Sequence, residues 1–277
     1  MALALAAAAC LASCSGRLGH RSVRPTGGSL PLPAGLQVLR IEIQNGRLEV
    51  RPGGRDAVAY EGHIRCGADT AEDLQRFEAR GAELRLEADP AAPGTWVLRG
   101  PTRPPELMSG VLGVEVRVTA PRDLPLEVRI EGSCDIDVAD REAPTSIETR
   151  RGDVKCMACH GATRVRVGTG VLIVNDHRGD LDIETRMGQM QVFVREPGEL
   201  LRLVSGNGDV QCIIPPSTGF RVDARAETGK VHTSFGLPVD RVTAYSAVMT
   251  GQRGDGRTEI VLRTGSGHLS LSHKTFD

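Results

Sequence analysis

A short phrase that recurs along the chain constrains its fold more than any other feature of the sequence. In each copy a glycine is followed, two and four residues later, by positions that are mostly apolar, and a further apolar residue usually stands five places before it. These glycines are Gly152, Gly170, Gly188, Gly208, Gly229 and Gly267, and Cys134 takes the same position one copy earlier. The steps between them are 18, 18, 18, 20, 21 and 38 residues, and the last step spans about two ordinary copies.

The spacing of apolar residues within each copy predicts short β-strands on either side of the glycine. Residues two apart share one face of a strand, and glycine suits a turn that needs positive φ. One copy cannot bury its apolar face alone, so the copies are expected to stack. We therefore predict an all-β fold, a β-solenoid (β-helix) with stacked rungs of about 18–20 residues, in which Val154, Leu172 and Met190 form one interior file. The alternative is an antiparallel sandwich, which does not require constant spacing.

The chain before the clear repeats is also β-rich but less regular. We predict a small N-terminal β-rich cap over 36–120 and the solenoid repeat domain over 121–277. Leu39–Val50 contains an Asn-Gly pair, which indicates either a hairpin or an early rung with Gly46 as its glycine. Thr70–Arg80 has helical composition, and Arg241–Arg257 interrupts the repeat as an excursion or hairpin.

The first residues carry the localisation signal. Residues 1–14 are mostly Ala and Leu and end in Leu-Ala-Ser-Cys, which resembles the bacterial lipoprotein signal with Cys14 as the lipidated residue. Acyl chains on Cys14 would hold the protein to a membrane. Residues 15–35 are rich in Gly, Ser, Pro and Arg, and this composition predicts a flexible tether. We expect a bacterial cell-envelope protein, lipid-anchored and either periplasmic or surface-facing; an ordinary alanine-rich N-terminus is the alternative.

Composition limits the partners. A net charge of −1 gives no reason to expect nucleic acid, and an aromatic content of 3% argues against a carbohydrate-binding face or a base-stacking platform. The expected partners are the membrane, through the lipid anchor, and either a protein or an envelope polysaccharide. Once Cys10 and Cys14 are set aside, five cysteines remain, and an odd number does not indicate a regular disulfide framework.

One motif competes with the repeat. Cys156-Met157-Ala158-Cys159-His160 has the C-x-x-C-H spacing that attaches c-type haem, so a redox or haem protein is a minor alternative. The same residues fall in register with the repeat, where Cys156 matches Val174. A disulfide between Cys156 and Cys159, or one that involves Cys134, is another possibility that the sequence leaves open.

Catalytic signals are weak. Asp135, Asp153 and Asp209 each follow the turn position, but other residue types interrupt the series, and a solvated turn edge accounts for them. No nucleophile elbow, phosphate-binding loop or metal-spaced His/Glu set is present in the sequence. We therefore assign no catalytic, cofactor-binding or metal-binding residue and expect that the protein is not an enzyme. The alternative is a secreted polysaccharide-acting enzyme or a sensor on one solenoid face.

The repeat phrases resemble those of a known family. Residues 149–154 (TRRGDV), 205–210 (SGNGDV) and 264–269 (TGSGHL) are similar to phrases of the bacterial putative-adhesin family of β-strand-repeat envelope proteins. The resemblance implies a β-solenoid, an envelope location and no established catalytic residues. Together with the signal, it predicts a non-enzymatic, membrane-anchored lipoprotein that presents a surface for adhesion, binding or structural spacing.

Overall fold

The computed structural model describes residues 19–32, 35–79, 84–101 and 110–275. Within these ranges the chain is almost entirely β, with one helix, α1 (Ala71–Ala79). The predicted signal and Cys14 lie outside the described residues. The strands are β1 (His20–Pro31), β2 (Val38–Ile43), β3 (Gly46–Pro52), β4 (Ala57–Ala68), β5 (Arg85–Ala88), β6 (Thr95–Arg99), β7 (Val111–Ala120), β8 (Leu126–Arg141), β9 (Thr145–Arg151), β10 (Val154–Cys159), β11 (Thr163–Thr169), β12 (Leu172–Met187), β13 (Met190–Asn207), β14 (Val210–Ile214), β15 (Phe220–Thr228), β16 (Val231–Thr233), β17 (Asp240–Arg241), β18 (Ala247–Arg253), β19 (Thr258–Ser266) and β20 (Leu269–His273).

The strands form two faces of one continuous sheet, because β8, β12 and β13 bend and run through both. We call these faces the first and the second sheet. Neighbours in the first sheet follow the order β5, β6, β2, β8, β9, β11, β12, β13, β19, β15, β18 and β17. The order in the second sheet is β1, β4, β7, β3, β8, β10, β12, β13, β14, β20 and β16. The central pairings in both sheets are parallel, and antiparallel pairs occur at the ends.

The predicted interior file is confirmed by the strand register. Val154 pairs with Leu172, and Leu172 pairs with Met190, in neighbouring parallel strands. Their side chains are 0%, 0% and 2% exposed. Burial of such side chains stabilises the fold by roughly 1.5–3 kcal/mol each. The 18-residue period of the sequence is therefore the distance along the chain between residues that pack on top of one another.

The turns between the sheets stack as closely as the strands. Gly188 has a φ of +149°, and a Cβ at this position would collide with the carbonyl oxygen of Gly170. The same relation places Gly170 on Gly152 and Gly208 on Gly188. Glycine is required at Gly170, Gly188 and Gly208 because a side chain there would separate one turn from the next, whereas Cys134, which has no positive φ, is tolerated at the equivalent turn.

We call a strand of the first sheet together with the strand of the second sheet that follows it one pass. At both ends of the stack, the spatial order of the passes differs from their order in the sequence. Gly267 follows Gly229 in the sequence, but the turn of Gly267 lies between those of Gly208 and Gly229. Near the other end, β2 and β3 lie between β8 and the later strands β6 and β7. The first and the last parallel passes along the chain thus each lie between two other passes rather than at the end of the stack. The excursion over Arg241–Arg257 is confirmed, since β18 pairs antiparallel with β15 and covers its edge.

The N-terminal region also differs from its prediction in two respects. Residues 36–120 are not a separate cap, because they supply two complete passes of the parallel stack as well as the antiparallel strands β4 and β5. Residues 15–35 were predicted to be a flexible tether, but His20–Pro31 form β1, which pairs with β4 along its whole length. Backbone pairing of this kind needs no apolar side chains, so the composition did not reveal it. The predicted helix is present, and the Thr70 hydroxyl accepts a hydrogen bond from the Asp73 amide at its start (3.1 Å).

We expect Gly188→Ala to lower the free energy of unfolding by at least about 2 kcal/mol, because the new Cβ meets the Gly170 carbonyl at a backbone conformation that disfavours it. Urea unfolding followed by circular dichroism measures this change. Gly113→Ala is the control, since Gly113 also lies in the β-structure and no heavy atom stands within 4 Å of the point that its Cβ would occupy. Equal stabilities of the two variants would contradict the role of the stacked turn.

Candidate functional site

A bend recurs in three neighbouring strands at the corner where the chain leaves the second sheet. It directs three chemically distinct side chains into the interior. Asp140, Ala158 and Asp176 have φ values of 54°, 49° and 56°, and they stand 18 residues apart. This left-handed conformation is uncommon for residues other than glycine. The residue that follows each bend, namely Arg141, Cys159 or His177, is 0% exposed. We call these three residues, together with Cys156, the corner cluster.

Arg141 is a buried cation with unusual partners. Its Nη1 donates to the carbonyl oxygen of Ala120 (3.4 Å), and its Nη2 donates to the carbonyl oxygen of Leu124. Its Nε has no hydrogen-bond partner, and no carboxylate of the described residues lies within 4.0 Å of the guanidinium. Burial lowers the pKa of Arg141. Because an unpaired charge is costly in the interior, a negatively charged group beside this guanidinium would be stabilised.

The predicted C-x-x-C-H residues lie at the same corner. Cys156 occupies the interior file between Val138 and Val174, and Cys159 is the register partner of Arg141. The interaction between the two thiols raises the pKa of Cys156 and lowers that of Cys159, and the Cys159 thiol donates to the carbonyl oxygens of Met157 (3.7 Å) and Val138 (3.9 Å). The charge of Arg141 contributes to the lowered pKa of Cys159. Both thiols are free and fully buried, so neither sulfur reaches the surface where a haem could attach, and this disfavours the haem alternative.

The other cysteines are not part of this cluster. Cys134 stands in the turn position beside Gly46, where burial raises its pKa to about 12. Cys212 lies in the same file as Cys156 but three strands away, as the repeat predicted. Burial also raises the pKa of Cys212 to about 12. Neither residue shares a strand pairing with Cys156 or Cys159, so the structure offers no support for a disulfide that involves Cys134.

The aspartates that follow the turn glycines have a structural role. Asp135 Oδ1 accepts a hydrogen bond from the Asp153 amide (3.0 Å), and Asp153 Oδ1 accepts one from the Val171 amide (2.8 Å). Asp209 Oδ1 likewise accepts from the amide of His268 (2.7 Å). Each carboxylate therefore caps the turn of the neighbouring pass. This use explains why aspartate recurs at the position without forming a continuous acidic row.

The outer side of the first sheet carries a ladder of alternating charge. One row across six neighbouring strands reads Arg99, Glu42, Arg129, Glu148, Arg166 and Glu184. In the row beside it, Asp182 contacts the guanidinium groups of Arg164 (3.3 Å), Arg166 (2.6 Å) and Arg202 (2.9 Å). Burial raises the pKa of Asp182, but hydrogen bonds from Arg166 and Arg202 outweigh this effect and lower it. The charges of this face thus largely satisfy one another.

The outer side of the second sheet is different over its C-terminal part. Eight outward positions on four neighbouring strands carry no charge, and we call them the uncharged surface: Ile173, Asn175, Gln191, Phe193, Gln211, Ile213, Ser270 and Ser272. Ile213 is buried, and the other seven are at least partly exposed. Gln191 Nε2 donates to Gln211 Oε1 (3.0 Å), and the hydroxyls of Ser270 and Ser272 are 3.2 Å apart. Phe193 is half-buried among these polar groups. The surface is neutral and partly apolar.

A groove of about 390 Å³ crosses the first sheet where its strands begin. Pro125, Pro144 and Leu181 are among its apolar lining residues, and Asp180 and Asp182 among its acidic ones. Asp180 Oδ1 already accepts hydrogen bonds from the amides of Glu199 (2.7 Å) and Leu200 (3.1 Å). The two acidic groups are therefore engaged in holding neighbouring strands together.

Within the described ranges, three or more His, Cys, Asp or Glu residues do not come together in a way that could hold a metal ion. Within those same ranges, α1 is too short to cross a lipid bilayer, and no other helix is long and apolar enough to do so.

Comparisons with known proteins give distant structural similarities. No protein-family model matches the chain, and no curated protein matches its sequence. A putative cell adhesion protein from Clostridium sporogenes ATCC 15579 is 13% identical over 91% of this chain and 100% of its own, with a TM-score of 0.33. A putative adhesin from Bacteroides fragilis NCTC 9343 is 6% identical over 91% and 97% of the two chains, with a TM-score of 0.31. A putative adhesin from Parabacteroides merdae ATCC 43184 is 7% identical with the same coverage and a TM-score of 0.22.

Sequence reasoning identified the two cysteines of the corner cluster but not Arg141 or His177. The signal was present, because the numbers 141, 159 and 177 differ by one repeat each. The positions were not recognised because the alternation of inward and outward residues was counted from the glycine. That alternation is shifted by the left-handed bend, which turns the following side chain inward.

His177 Nε2 lies 3.1 Å from the carbonyl oxygen of Asp180, and Nδ1 has no partner.

Burial lowers the pKa of His177, and this shift predicts a loss of stability in acid. The folded state disfavours the protonated ring, so the contribution is fully present above the unfolded pKa of about 6.5 and is lost as the pH falls below it. We expect His177 to account for a slope of up to about 1.4 kcal/mol per pH unit below that value. Urea unfolding between about pH 7.5 and about pH 5 measures the slope, and His177→Gln should flatten it.

His232→Gln is the matched control for this measurement, because His232 is exposed on the edge strand β16. It should leave the slope as it is in the unchanged protein. A slope that is the same in the His177 variant and the unchanged protein would show that the buried ring does not govern the acid response.

Proposed function

We propose that this protein is a non-enzymatic, lipid-anchored envelope protein whose β-solenoid presents the uncharged surface to a protein partner. In this proposal Cys14 carries the lipid, the parallel stack is the rigid spacer, and the second sheet makes the contact. The observation that carries the proposal is the difference between the outer sides of the two sheets. One is covered with charges that pair with each other, whereas the other has eight neighbouring positions without charge.

The contacts of the acidic residues support a non-enzymatic role. A carboxylate that acts as a general acid or base must be free to exchange a proton near neutral pH. Asp182 is held by three arginines, which favours its ionised form. Asp135, Asp153 and Asp209, the aspartates of the turn series in the sequence, accept hydrogen bonds from turn amides and so hold the stack together.

The position of the lipid anchor supports the assignment of the contact surface. Cys14 is six residues from His20, where β1 begins, so the anchor lies within about 20 Å of that strand. The uncharged surface starts six strands further along the second sheet, at β12. At a spacing of about 4.8 Å between strands, this corresponds to about 30 Å. An anchor at one end of the stack would leave the uncharged surface on the side away from the membrane.

The chemistry of the surface favours a protein partner over a polysaccharide. Sugar-binding faces use exposed aromatic rings, whereas the uncharged surface offers one half-buried ring, Phe193, among amides, hydroxyls and aliphatic groups. Depletion of charge and enrichment of apolar and aromatic groups are typical of the centre of a protein interface. We therefore expect a partner that presents a flat, neutral surface of its own.

The anchor can be tested directly. In a bacterium that lipidates its envelope proteins, we expect the full chain to incorporate a labelled fatty acid and to sediment with membranes, since acyl chains partition into the bilayer. Cys14→Ser should abolish both, and Cys10→Ser should change neither. A chain that remains in the membrane fraction with Cys14→Ser, or that takes up no label at all, would contradict lipid anchoring at Cys14.

The contact surface is tested by site-specific photo-crosslinking in cells. A photoreactive residue in place of Gln191 should give one discrete adduct of defined mass, and the same residue in place of Glu148, on the charge ladder, should give none. Adding Phe193→Asp should weaken the Gln191 adduct at least tenfold, because burying a new charge at an interface costs more than about 1.4 kcal/mol. Adducts of equal yield from both positions, or an adduct unaffected by Phe193→Asp, would overturn the proposed surface.

A further inference from the structure

The corner cluster contains a pair of thiols whose geometry differs from that of the passes on either side. Cys156 and Cys159 are separated by Met157 and the left-handed residue Ala158, and both side chains are 0% exposed, so both point into the interior. In the neighbouring passes the equivalent positions are Val138 with Arg141 and Val174 with His177. Only this pass of the described stack therefore places two sulfurs in the corner.

Arg141 supplies a second, independent observation. It is the register partner of Cys159, and it is fully buried with an unpaired Nε. No carboxylate of the described residues comes within 4.0 Å to balance it. Asp123 acts on Arg141 only from beyond 4.0 Å, and the register partner that is able to carry a negative charge is the Cys159 sulfur, because a thiol loses its proton more readily next to an arginine.

We propose that Cys156 and Cys159 form a reversible dithiol–disulfide couple, in which Arg141 stabilises the reduced form by pairing with the Cys159 thiolate. This activity is separate from the proposed surface contact and does not depend on it. The redox partner is a disulfide, either of a small thiol compound or of a thiol oxidoreductase. The short separation of the two cysteines is typical of disulfides that are exchanged in function.

The exchange proceeds in two balanced steps. The Cys159 thiolate attacks one sulfur of the external disulfide and displaces the other as a thiolate, which leaves a mixed disulfide on Cys159. Cys156 then gives up its proton to the displaced thiolate, and its sulfur attacks Cys159 Sγ, which releases the second external sulfur. The protein loses two electrons, and the external disulfide is reduced to one thiol and one thiolate, the latter taking its proton from solvent water. Because both sulfurs are buried, exchange requires local opening of the corner and is slow.

The buried arginine sets the direction of the equilibrium. Formation of the disulfide removes the thiolate but leaves the buried guanidinium in place, so the oxidised corner holds a cation that has lost this partner. The reduced form is thereby favoured, and a disulfide whose reduced form is stabilised is a strong oxidant. This behaviour is the opposite of a structural disulfide, which resists reduction.

The sequence allows the couple to be measured in the unmodified full chain. Trypsin cleaves after Lys155 and Arg164, and the peptide between them contains Cys156 and Cys159 and no other cysteine. The protein is equilibrated in glutathione buffers of graded ratio, quenched in acid, alkylated, digested and weighed by mass spectrometry. The disulfide form carries no alkyl group and lacks two hydrogens, whereas the dithiol form carries two alkyl groups.

We expect a reversible transition in this peptide as the glutathione ratio changes. Arg141→Met should shift the equilibrium constant at least tenfold toward the disulfide, which is about 30 mV for a two-electron couple. Arg141→Lys, which keeps the charge, should remain close to the unchanged protein. Absence of the disulfide at every ratio, or an equilibrium constant unaffected by Arg141→Met in folded protein, would overturn the proposal.

A second pair of variants decides the matter if Arg141→Met does not fold. In Cys156→Ser, oxidised glutathione should stop at a mixed disulfide on Cys159, since the resolving thiol is missing. In Cys159→Ser, the remaining Cys156 should react at least about tenfold more slowly, because it lies in the aliphatic file rather than beside Arg141. Faster reaction of Cys156, or equal rates, would show that Arg141 does not activate Cys159.

Discussion

The structure depends on the contact of one glycine turn with the next. At Gly170, Gly188 and Gly208 the Cα of each turn faces the carbonyl of the turn beneath it at a distance that excludes a side chain. Because the turns are in contact, the strands on both sides are held at hydrogen-bonding distance and in the same register. The threonines beside the turns contribute to this contact: Thr264 Oγ1 donates to the carbonyl oxygen of Gly208 (2.9 Å), so a buried hydroxyl is satisfied by the neighbouring pass.

Strict stacking also determines where chemistry can occur. Every interior position is repeated in the pass above and below, so a polar residue that points inward meets the side chains of the same file. Val194, Cys159 and Arg141 occupy one such file together with His177, and all four are fully buried. In an otherwise aliphatic core, polar groups that cannot reach water must satisfy one another. The corner cluster is the place where the repeat departs from aliphatic packing, and for that reason it carries the distinctive electrostatics of the molecule.

Part of this arrangement could be predicted from the sequence, and the rest could not, for physical reasons. The period of 18 residues was sufficient to predict that Val154, Leu172 and Met190 share a file, because register follows directly from spacing. The period does not determine the spatial order in which the passes are stacked. Gly229 and Gly267 occupy equivalent turns, and only long-range packing decides that the later one is placed inside. The strand β1 was missed for a related reason, since its pairing with β4 uses the backbone and leaves Val23 60% exposed.

The first and the last parallel passes of the chain both lie inside the stack, and this placement protects the edge strands of the sheets. An outermost parallel strand exposes a row of unpaired backbone groups, to which another chain can add. In this protein the passes that arrive first and last, β2–β3 and β19–β20, have neighbours on both sides. Antiparallel strands take the outermost position at three of the four ends, and the fourth is the three-residue parallel strand β16; among the antiparallel ones is β1, which contains Pro25 and Pro31 on the same side of its backbone. Proline has no amide hydrogen, so a strand edge that presents it is a poor template for further pairing. Most of the edges are thereby covered, and the contact proposed for this protein uses a flat outer side of the sheets rather than an edge.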